Sequence, residues 1–246
     1  AQLAAGSFRL AGCEVPFGRG KPFPPIVLEL PGGRAYELSG RIDRVDAYAA
    51  PDGETYVRVI DYKTGIASLA MEDVFEGLKL QLPLYIRAVT CVAHAEEKAA
   101  RAAGMYYLPV AEPTVAEGDE AQVLGALLKA FRMKGLTIAD AALMNAGGAG
   151  VAFSQKGSKY TVSSDAFGTA SDYAVKKAAA TASSIAEGRA ETAPFRKKNG
   201  YTACGICDFA TVCAFDASLS GCAYRSVQGM TVQDFFQEVA NAEVDS

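Results

Sequence analysis

A carboxylate and an ammonium group at the end of one β-rich run are the first chemical feature of this sequence. Asp61 and Lys63 follow Val57 and Ile60, and Gly65 ends the run. Because alternate side chains of a strand point the same way, Asp61 and Lys63 share one face. Such a pair can hold a metal ion and the water that it activates. The plain alternative is a surface ion pair, which contributes little to stability.

A second carboxylate, Asp43, lies on the preceding predicted strand, which runs from Tyr36 to Ala47. A Pro-Asp-Gly turn separates it from the strand that bears Asp61, so the two strands are expected to be antiparallel neighbours. Two carboxylates brought together in this way suit Mg²⁺ or Mn²⁺, which keep several of their waters. The alternative for Asp43 is an ion pair with Arg41 or Arg44.

Three further side chains could complete a hydrolytic site. Gln81 and Tyr85 fall within a helix predicted from about Met71 to Val92, where residues four apart share a face. Glu14 could supply another carboxylate, and a lysine can orient a water or stabilise charge on a phosphate. Together these groups are typical of metal-assisted phosphodiester hydrolysis. Alternatively, Glu14 is a solvated carboxylate, and the helix residues are ordinary packing.

Composition limits the classes of protein to consider. The chain has 246 residues, half of them hydrophobic and 21% charged, which suits one large domain or one domain with a helical appendage. Its net charge of -4 excludes a generally basic nucleic-acid binder, so contact with DNA needs a local basic patch or a bound cation. The basic residues before the last cysteines form one such run, or else a solvated connector. They are Arg189, Arg196, Lys197 and Lys198.

No apolar run is long enough to cross a membrane, and no secretory signal opens the chain. A cytoplasmic protein is therefore expected, and the opening at Ala1 is interpreted as that of a fragment of a longer protein. The remaining predicted elements are both strands and helices, and an α/β fold is expected. Further strands are predicted at Phe8–Glu14, Ile26–Leu30 and Met105–Val110, a hairpin at 151–162, and helices at 121–132, 171–188 and about 231–240.

Three cysteines near the carboxyl end have the spacing Cys-x2-Cys-x5-Cys. They are Cys204, Cys207 and Cys213. Without a secretory context such thiols favour metal ligation over disulfides, although buried free cysteines are the alternative. Zinc and a [4Fe–4S] cluster both need four ligands, and Cys13 and Cys222 are the candidates within the chain. Cys91, after the Tyr85 helix, is predicted to belong to the core.

Three motifs resemble those of PD-(D/E)XK nucleases of the RecB family in order, spacing and flanking residues. They are Gly40-Arg41-Ile42-Asp43-Arg44-Val45-Asp46, Ile60-Asp61-Tyr62-Lys63-Thr64-Gly65 and Gln81-Leu82-Pro83-Leu84-Tyr85. The cysteine tail resembles the iron–sulfur clasp of AddB-type nuclease domains and of Cas4. The stretch from Ile185 to Pro194 that leads into it fits the AddB type best. The resemblance extends roughly from Glu14 to Asp216.

The resemblance implies a role for each motif residue. The metal would be held by Asp43, Asp61 and the Tyr62 carbonyl. Lys63 would be the catalytic lysine, and Glu14 would be the upstream acidic residue. The Gln-x3-Tyr motif would be formed by Gln81 and Tyr85. Cys204, Cys207 and Cys213 would hold a [4Fe–4S] cluster, with a fourth cysteine upstream of residue 1. In this chain alone, we expect zinc, reduced free thiols, or disorder around Ala203 to Phe215. The N-terminal histidine of the family is not recognisable, and His94 is predicted to be structural or exposed.

The expected fold is a PD-(D/E)XK, restriction-endonuclease-like core over residues 8–190, with a mixed central sheet flanked by helices. Residues 191–246 would form a C-terminal Cys-containing helical clasp and tail. The implied function is Mg²⁺- or Mn²⁺-dependent DNA exonuclease activity, as the nuclease domain of an AddB-like subunit in double-strand-break repair. An AddA-like helicase–nuclease would be its partner. The alternatives are a free-standing Cas4-like exonuclease, and a non-catalytic module that binds DNA ends or a partner.

Overall fold

The structure is a computed structural model of the chain. It describes residues 6–65, 68–91, 100–110, 119–140, 143, 146 and 160–244. His94 and most of the hairpin predicted at 151–162 lie outside these residues.

A six-stranded mixed sheet forms the centre of the fold. The described strands are β1 (Arg9–Phe17), β2 (Ile26–Leu30), β3 (Arg34–Leu38), β4 (Gly40–Ala49), β5 (Thr55–Lys63), β6 (Arg101–Pro109), β7 (Lys134–Ile138), β8 (Thr161–Val162), β9 (Phe195–Lys197) and β10 (Arg225–Val227). The central sheet has the order β1-β4-β5-β6-β7-β8. Its β5–β6 and β7–β8 pairs are parallel, and the other pairs are antiparallel. The predicted mixed sheet is therefore confirmed.

Helices flank this sheet, as predicted. The described α-helices are α1 (Met71–Phe75), α2 (Gln81–Thr90), α3 (Glu120–Ala130), α4 (Ser164–Ala186), α5 (Ala210–Cys213) and α6 (Val232–Val244). Helix α2 packs on β5 and β6, and α4 packs against α2 and β2. Helix α4 begins earlier than the sequence pattern indicated because Ser163 caps it, its hydroxyl accepting a hydrogen bond from the Ala166 amide at 3.2 Å.

The single helix predicted from Met71 to Val92 is wrong, because two helices occupy this stretch. Gly77 has a φ of +79°, and this left-handed residue ends the first helix. The second helix begins at Gln81, so Pro83 is its third residue. Proline has no amide hydrogen, but at this position no helical hydrogen bond is lost, because the first amides of a helix have no partner within it.

The strand predicted from Tyr36 to Ala47 also proves to be two strands, β3 and β4, separated at Ser39. Strand β3 turns back to pair with β2 in a separate two-stranded sheet. Strand β4 opens at Gly40, where a side chain would meet the Phe17 ring at 2.8 Å. The close packing of that ring therefore requires glycine at this point.

The sheet is buried on both faces, as expected for a central layer. Val57 and Val59 of β5 belong to the main core beneath α2 and α4. Ile60, which points the other way, packs with Tyr106 and Met133 in a second cluster. Consecutive residues in the middle of β5 are therefore all buried, because other parts of the protein pack on both faces of the sheet.

The C-terminal segment combines short helical turns with a small parallel sheet of β9 and β10. Between these strands, Cys204 lies in a 3₁₀ turn over Ala203–Ile206, Cys207 directly follows this turn, and Cys213 is the last residue of α5. Helix α6 then returns to α1, where Phe235 packs edge-on against Phe75. The division into residues 8–190 and 191–246 stays a prediction. No helix in the described part of the chain has the length and apolar character needed to cross a membrane.

Candidate active site

Asp43 and Asp61 lie on neighbouring strands, as the sequence predicted. The antiparallel register pairs Arg44 of β4 with Ile60 of β5, so the two carboxylates occupy the adjoining positions. Asp43 Oδ2 accepts a hydrogen bond from the Tyr62 amide at 2.9 Å, which joins the two strands at this level. Asp61 is buried, whereas Asp43 is half-buried and can face a ligand.

Lys63 connects Asp61 to the helix α2. Its Nζ atom is 2.5 Å from Asp61 Oδ2 and donates a hydrogen bond to Gln81 Oε1 at 3.0 Å. The Gln81 amide in turn donates to the Tyr85 hydroxyl at 2.9 Å. Residues far apart in sequence therefore form one polar relay from Asp61 through Lys63 and Gln81 to Tyr85.

The electrostatics of Asp61 fit a bound cation. Burial raises the pKa of Asp61, while the adjacent Lys63 ammonium group lowers it and the Asp43 carboxylate raises it. The buried Asp61 Oδ2 is close to Lys63 Nζ, but the angles of that contact are not those of a hydrogen bond. A buried carboxylate oxygen without a hydrogen bond, beside a second carboxylate, suits a hard divalent cation such as Mg²⁺.

Glu14 lies on β1 beside this pair but points to solvent. Its neighbours Cys13 and Val15 pair with β4 on either side of Asp43. Its φ of +51° is unusual for a residue with a side chain. The Glu14 carboxylate forms an ion pair with Arg41 at 3.3 Å, and its side chain is 65% exposed. Among the described residues, no group of three His, Cys, Asp or Glu side chains is arranged to bind a metal, so the structure does not join Glu14 to the two aspartates.

Tyr107 is a site residue that sequence reasoning missed. The sequence pattern assigns it only to a buried strand, but the parallel register of β6 with β5 pairs it with Asp61. The Lys63 ammonium lies 5.3 Å from the centre of its ring. Burial, followed by the Asp61 charge, raises the pKa of Tyr107 to about 12, so its hydroxyl stays protonated at neutral pH. Only the strand order could have revealed this contact.

A cavity of about 360 Å³ opens beside the relay. It is lined by Lys63, Ser68, Leu78, Lys79, Leu80, Gln81 and Tyr107. Its polar wall carries two ammonium groups and an amide, which are groups that bind anions. The cavity therefore offers an approach to Lys63 for a negatively charged ligand.

The cysteines are free thiols and are not gathered into a metal-binding group in the described residues. Cys204 and Cys222 are half-buried, whereas Cys207 and Cys213 are exposed. The expectation that the three thiols of the Cys-x2-Cys-x5-Cys motif converge is therefore not met in this structure. The prediction that Cys91 belongs to the core is wrong, because this residue follows the end of α2 and is exposed.

The basic run before the cysteines does not form one patch. Arg189 pairs with Glu187 at 2.9 Å, and the Arg196 guanidinium lies 3.8 Å from the centre of the Tyr224 ring. Lys197 turns inward to the buried Asp73 carboxylate, whereas Lys198 is exposed. The prediction of a shared DNA-binding role for this run is therefore not supported by its geometry.

A mixed sheet with paired aspartates and a lysine at the end of one strand is the arrangement of a nuclease core. The family model of the PD-(D/E)XK nuclease superfamily matches residues 1–214, and the chain belongs to this superfamily. Similar proteins are named as the B subunits of ATP-dependent helicase/deoxyribonucleases. The relative from Desulforudis audaxviator is 37% identical over 255 residues, covering 97% of this chain and 22% of the relative.

Two further relatives carry the same name. The protein from Symbiobacterium thermophilum is 37% identical over 252 residues, covering 96% of this chain and 22% of the relative. That from Clostridium tetani is 33% identical over 243 residues, covering 92% of this chain and 21% of the relative. The chain thus spans about a fifth of the length of these relatives. The predicted resemblance to PD-(D/E)XK nucleases, and among them to the AddB type of helicase–nuclease, is confirmed.

Proposed function

We propose that this chain is a metal-dependent deoxyribonuclease domain that hydrolyses DNA phosphodiesters as an exonuclease. Family membership supports a nuclease role. The observation that best supports catalysis by this chain is the relay, in which the Lys63 ammonium is held between the buried Asp61 carboxylate and the Gln81 amide. A module without catalytic function would have little need of this costly buried charge.

Asp43, Asp61 and the Tyr62 carbonyl would hold Mg²⁺ or Mn²⁺. When bound, the metal supplies a Lewis acid that activates water and neutralises charge on the phosphate. Lys63 would donate to a phosphate oxygen or orient the attacking water, because its ammonium stands beside the carboxylates. Gln81 fixes the position of this ammonium and is itself oriented by Tyr85.

The substrate and partners are inferred from the relatives. Their names combine a helicase with a deoxyribonuclease, which supports DNA as the substrate of this chain. We infer that it is the nuclease domain of an AddB-like subunit, acting in double-strand-break repair with an AddA-like helicase–nuclease in the cytoplasm. Because the chain spans about a fifth of the length of these relatives, we propose these roles for a longer protein that contains this domain.

A [4Fe–4S] cluster is proposed for the longer protein, with Cys204, Cys207 and Cys213 as three of its ligands. Their spacing supports this proposal. The three thiols are not gathered in this structure, so they would have to come together on the cluster. Anaerobic purification of an N-terminally extended chain, followed by visible absorbance and iron analysis, tests this assignment. An iron-free protein whose Cys207→Ala variant is equally stable would contradict it.

The test of the nuclease is cleavage of end-labelled linear DNA by the purified chain, with Mg²⁺ and with a chelator. The Asp61→Ala variant should lose at least about 100-fold in rate, because it removes a ligand of the metal ion that would stabilise the charge developing on the phosphate. Asp172→Ala is the matched control, since Asp172 is 57% exposed and pairs with Arg87 on the surface. Thermal unfolding must show that both variants remain folded. Equal cleavage by Asp61→Ala and the wild type would refute the site.

A further inference from the structure

A buried carboxylate outside the relay joins the cysteine-containing segment to the active site. Asp73 on α1 is 1% exposed. Its Oδ2 atom is 3.3 Å from Lys79 Nζ, and its Oδ1 atom pairs with Lys197 Nζ. Lys79 belongs to the turn between α1 and α2, and Lys197 belongs to β9. One carboxylate therefore connects a helix, the turn that follows it and a strand about 120 residues further along the chain.

The same residue also organises the turn through its backbone. The Asp73 carbonyl accepts hydrogen bonds from the Leu78 amide at 2.7 Å and the Lys79 amide at 3.0 Å. Lys79 Nζ donates to the Ser68 carbonyl at 3.2 Å, which ties the turn to the chain after β5. Helix α2 starts directly after this turn, at Gln81. The placement of Asp73 therefore determines where Gln81 meets Lys63.

A second ion pair reinforces the connection between the two regions. Arg225 of β10, the strand parallel to β9, pairs with Glu76 at the end of α1. Both strands that bracket the cysteines thus contact the α1 region. The Arg225 side chain is 44% exposed, whereas that of Lys197 is 22% exposed. Because solvent weakens an exposed pair, the contact made by Lys197 is expected to dominate.

We propose that Lys197 is a positioning residue for DNA cleavage, which couples the cysteine-containing segment to the catalytic relay through Asp73. The inference rests on the proposed nuclease function of Lys63. The path runs from Lys197 to Asp73, through the turn at Lys79, and then to Gln81. A change in the cysteine segment that moves β9 would alter the rate of the chemical step rather than the affinity for DNA.

The alternative role for Lys197 is a direct contact with a DNA phosphate. Such a contact contributes to binding at every DNA sequence. Its loss makes the slope of the logarithm of the binding constant against the logarithm of the salt concentration shallower by about one. A positioning residue leaves this slope unchanged and acts on kcat. The two roles therefore predict different kinetic constants for the same substitution.

The decisive comparison uses the full chain and the variants Lys197→Met, Lys197→Arg and Lys21→Met. Lys21→Met removes one exposed positive charge from the loop after β1 and is the control. Lys197→Met is expected to lower kcat about tenfold, within the usual range of coupling between sites, with KM and the salt slope of DNA binding unchanged. Lys197→Arg should restore most of the rate, and Lys21→Met should retain it.

Hydrogen exchange at the Leu78 and Lys79 amides provides a readout that is independent of cleavage. Lys197→Met should speed exchange at both amides, because both donate to the Asp73 carbonyl and the Asp73 side chain loses a partner that holds this residue in place. The exchange measurement can be made even if the wild-type chain does not cut DNA. Absence of cleavage by the wild type would refute the proposed function, but it would not decide whether Lys197 and Asp73 position the turn. Unchanged kcat and exchange in Lys197→Met, or a raised KM with a flatter salt slope, would overturn the inference.

Asp73→Asn gives a second measurement if Lys197→Met does not fold. The amide keeps the size of the side chain but removes the charge that holds both lysines. We expect a lower kcat and faster exchange at the Leu78 amide. A folded Asp73→Asn protein with wild-type values for both would likewise overturn the proposed coupling.

Discussion

Asp46 and Asp61 are both buried carboxylates, but their partners differ. Asp46 accepts hydrogen bonds from Arg44 at 2.6 and 2.8 Å and from Arg58 at 3.0 Å. In the described part of the chain, the Asp61 carboxylate has one ion-pair partner, the Lys63 ammonium, and its buried Oδ2 atom lacks a hydrogen bond of good geometry. We therefore assign a structural role to Asp46, whereas Asp61, which lies beside the Asp43 carboxylate, is proposed as a metal ligand.

The structural role of Asp46 can be tested with Asp46→Asn. Removing one partner of a buried ionic group leaves the other charges uncompensated, so we expect the free energy of unfolding to fall by about 3–5 kcal/mol. Urea denaturation measures this change. Asp172→Asn, in a surface pair with Arg87, should change it by about 0–1 kcal/mol. Equal effects of the two substitutions would contradict the assigned role.

Tyr106 is expected to make the free energy of unfolding depend on pH in the alkaline range. Burial raises its pKa to about 12, while its hydrogen bond with Thr137 lowers it. The folded state therefore holds a proton that the unfolded state releases above pH about 10, and stability falls as pH rises from about 10 to 12. The two-unit difference corresponds to about 3 kcal/mol as an upper bound.

The measurement is the free energy of unfolding between pH 9 and pH 12, compared among the wild type, Tyr106→Phe and Tyr36→Phe. Tyr106→Phe removes the titrating group and should make the fall shallower. Tyr36 is 48% exposed, and its phenylalanine variant is the control for loss of a surface hydroxyl. If Tyr106→Phe has the same pH dependence as the wild type, the assignment is incorrect.

At the scale of elements, the pairing of β6 with β7 depends on one glycine. A Cβ at Gly135 would lie 1.9 Å from the Met105 carbonyl oxygen, so the backbones would have to separate. We expect Gly135→Ala to lower the free energy of unfolding by about 1–3 kcal/mol, as overpacking does. Gly168, on the exposed side of α4, has open space where its Cβ would lie.

Gly168→Ala is therefore the matched substitution, and it should stabilise the protein by about 0.5–1 kcal/mol through helix propensity. Thermal unfolding of both variants at one protein concentration distinguishes them. A stabilising Gly135→Ala would show that β6 and β7 do not approach as closely as described.

The sequence predicted the elements where local signals are strong. The β-rich run of β5, and the Pro-Asp-Gly turn before it, placed Asp43 beside Asp61. The break between α1 and α2 was missed because the apolar positions continue through Gly77, and only its positive φ shows that the helix ends. The division of the strand at Ser39 was also missed, because it depends on the pairing of β3 with β2, which is a tertiary contact that the local sequence does not indicate.

The motif residues of the site could be predicted, but their supporting contacts could not. Asp61, Lys63 and Gln81 lie in three short motifs, whereas Tyr107 reaches Lys63 only because β6 lies next to β5 in the sheet. The pairing of Asp73 with Lys197 likewise joins distant parts of the chain. Neither contact leaves a periodic or spacing signal in the sequence.

At the scale of the whole molecule, charge limits how the proposed nuclease would approach DNA. The net charge is -4, and the two aspartates add negative charge where a phosphate must arrive. A bound cation would neutralise them, and Lys63 and Lys79 provide positive charge on the cavity wall. Under the proposed function, recognition of DNA is therefore expected to depend on the metal more than on a basic surface.

The measurement that tests the proposed metal site most directly is anomalous diffraction from crystals soaked in Mn²⁺. We predict one strong anomalous peak between the carboxylates of Asp43 and Asp61, adjacent to the Tyr62 carbonyl, and its loss in Asp61→Ala crystals. Carboxylate and carbonyl oxygens are suitable ligands for this ion. An Mn²⁺ peak elsewhere on the chain, with none between these two aspartates, would contradict the assignment of the site.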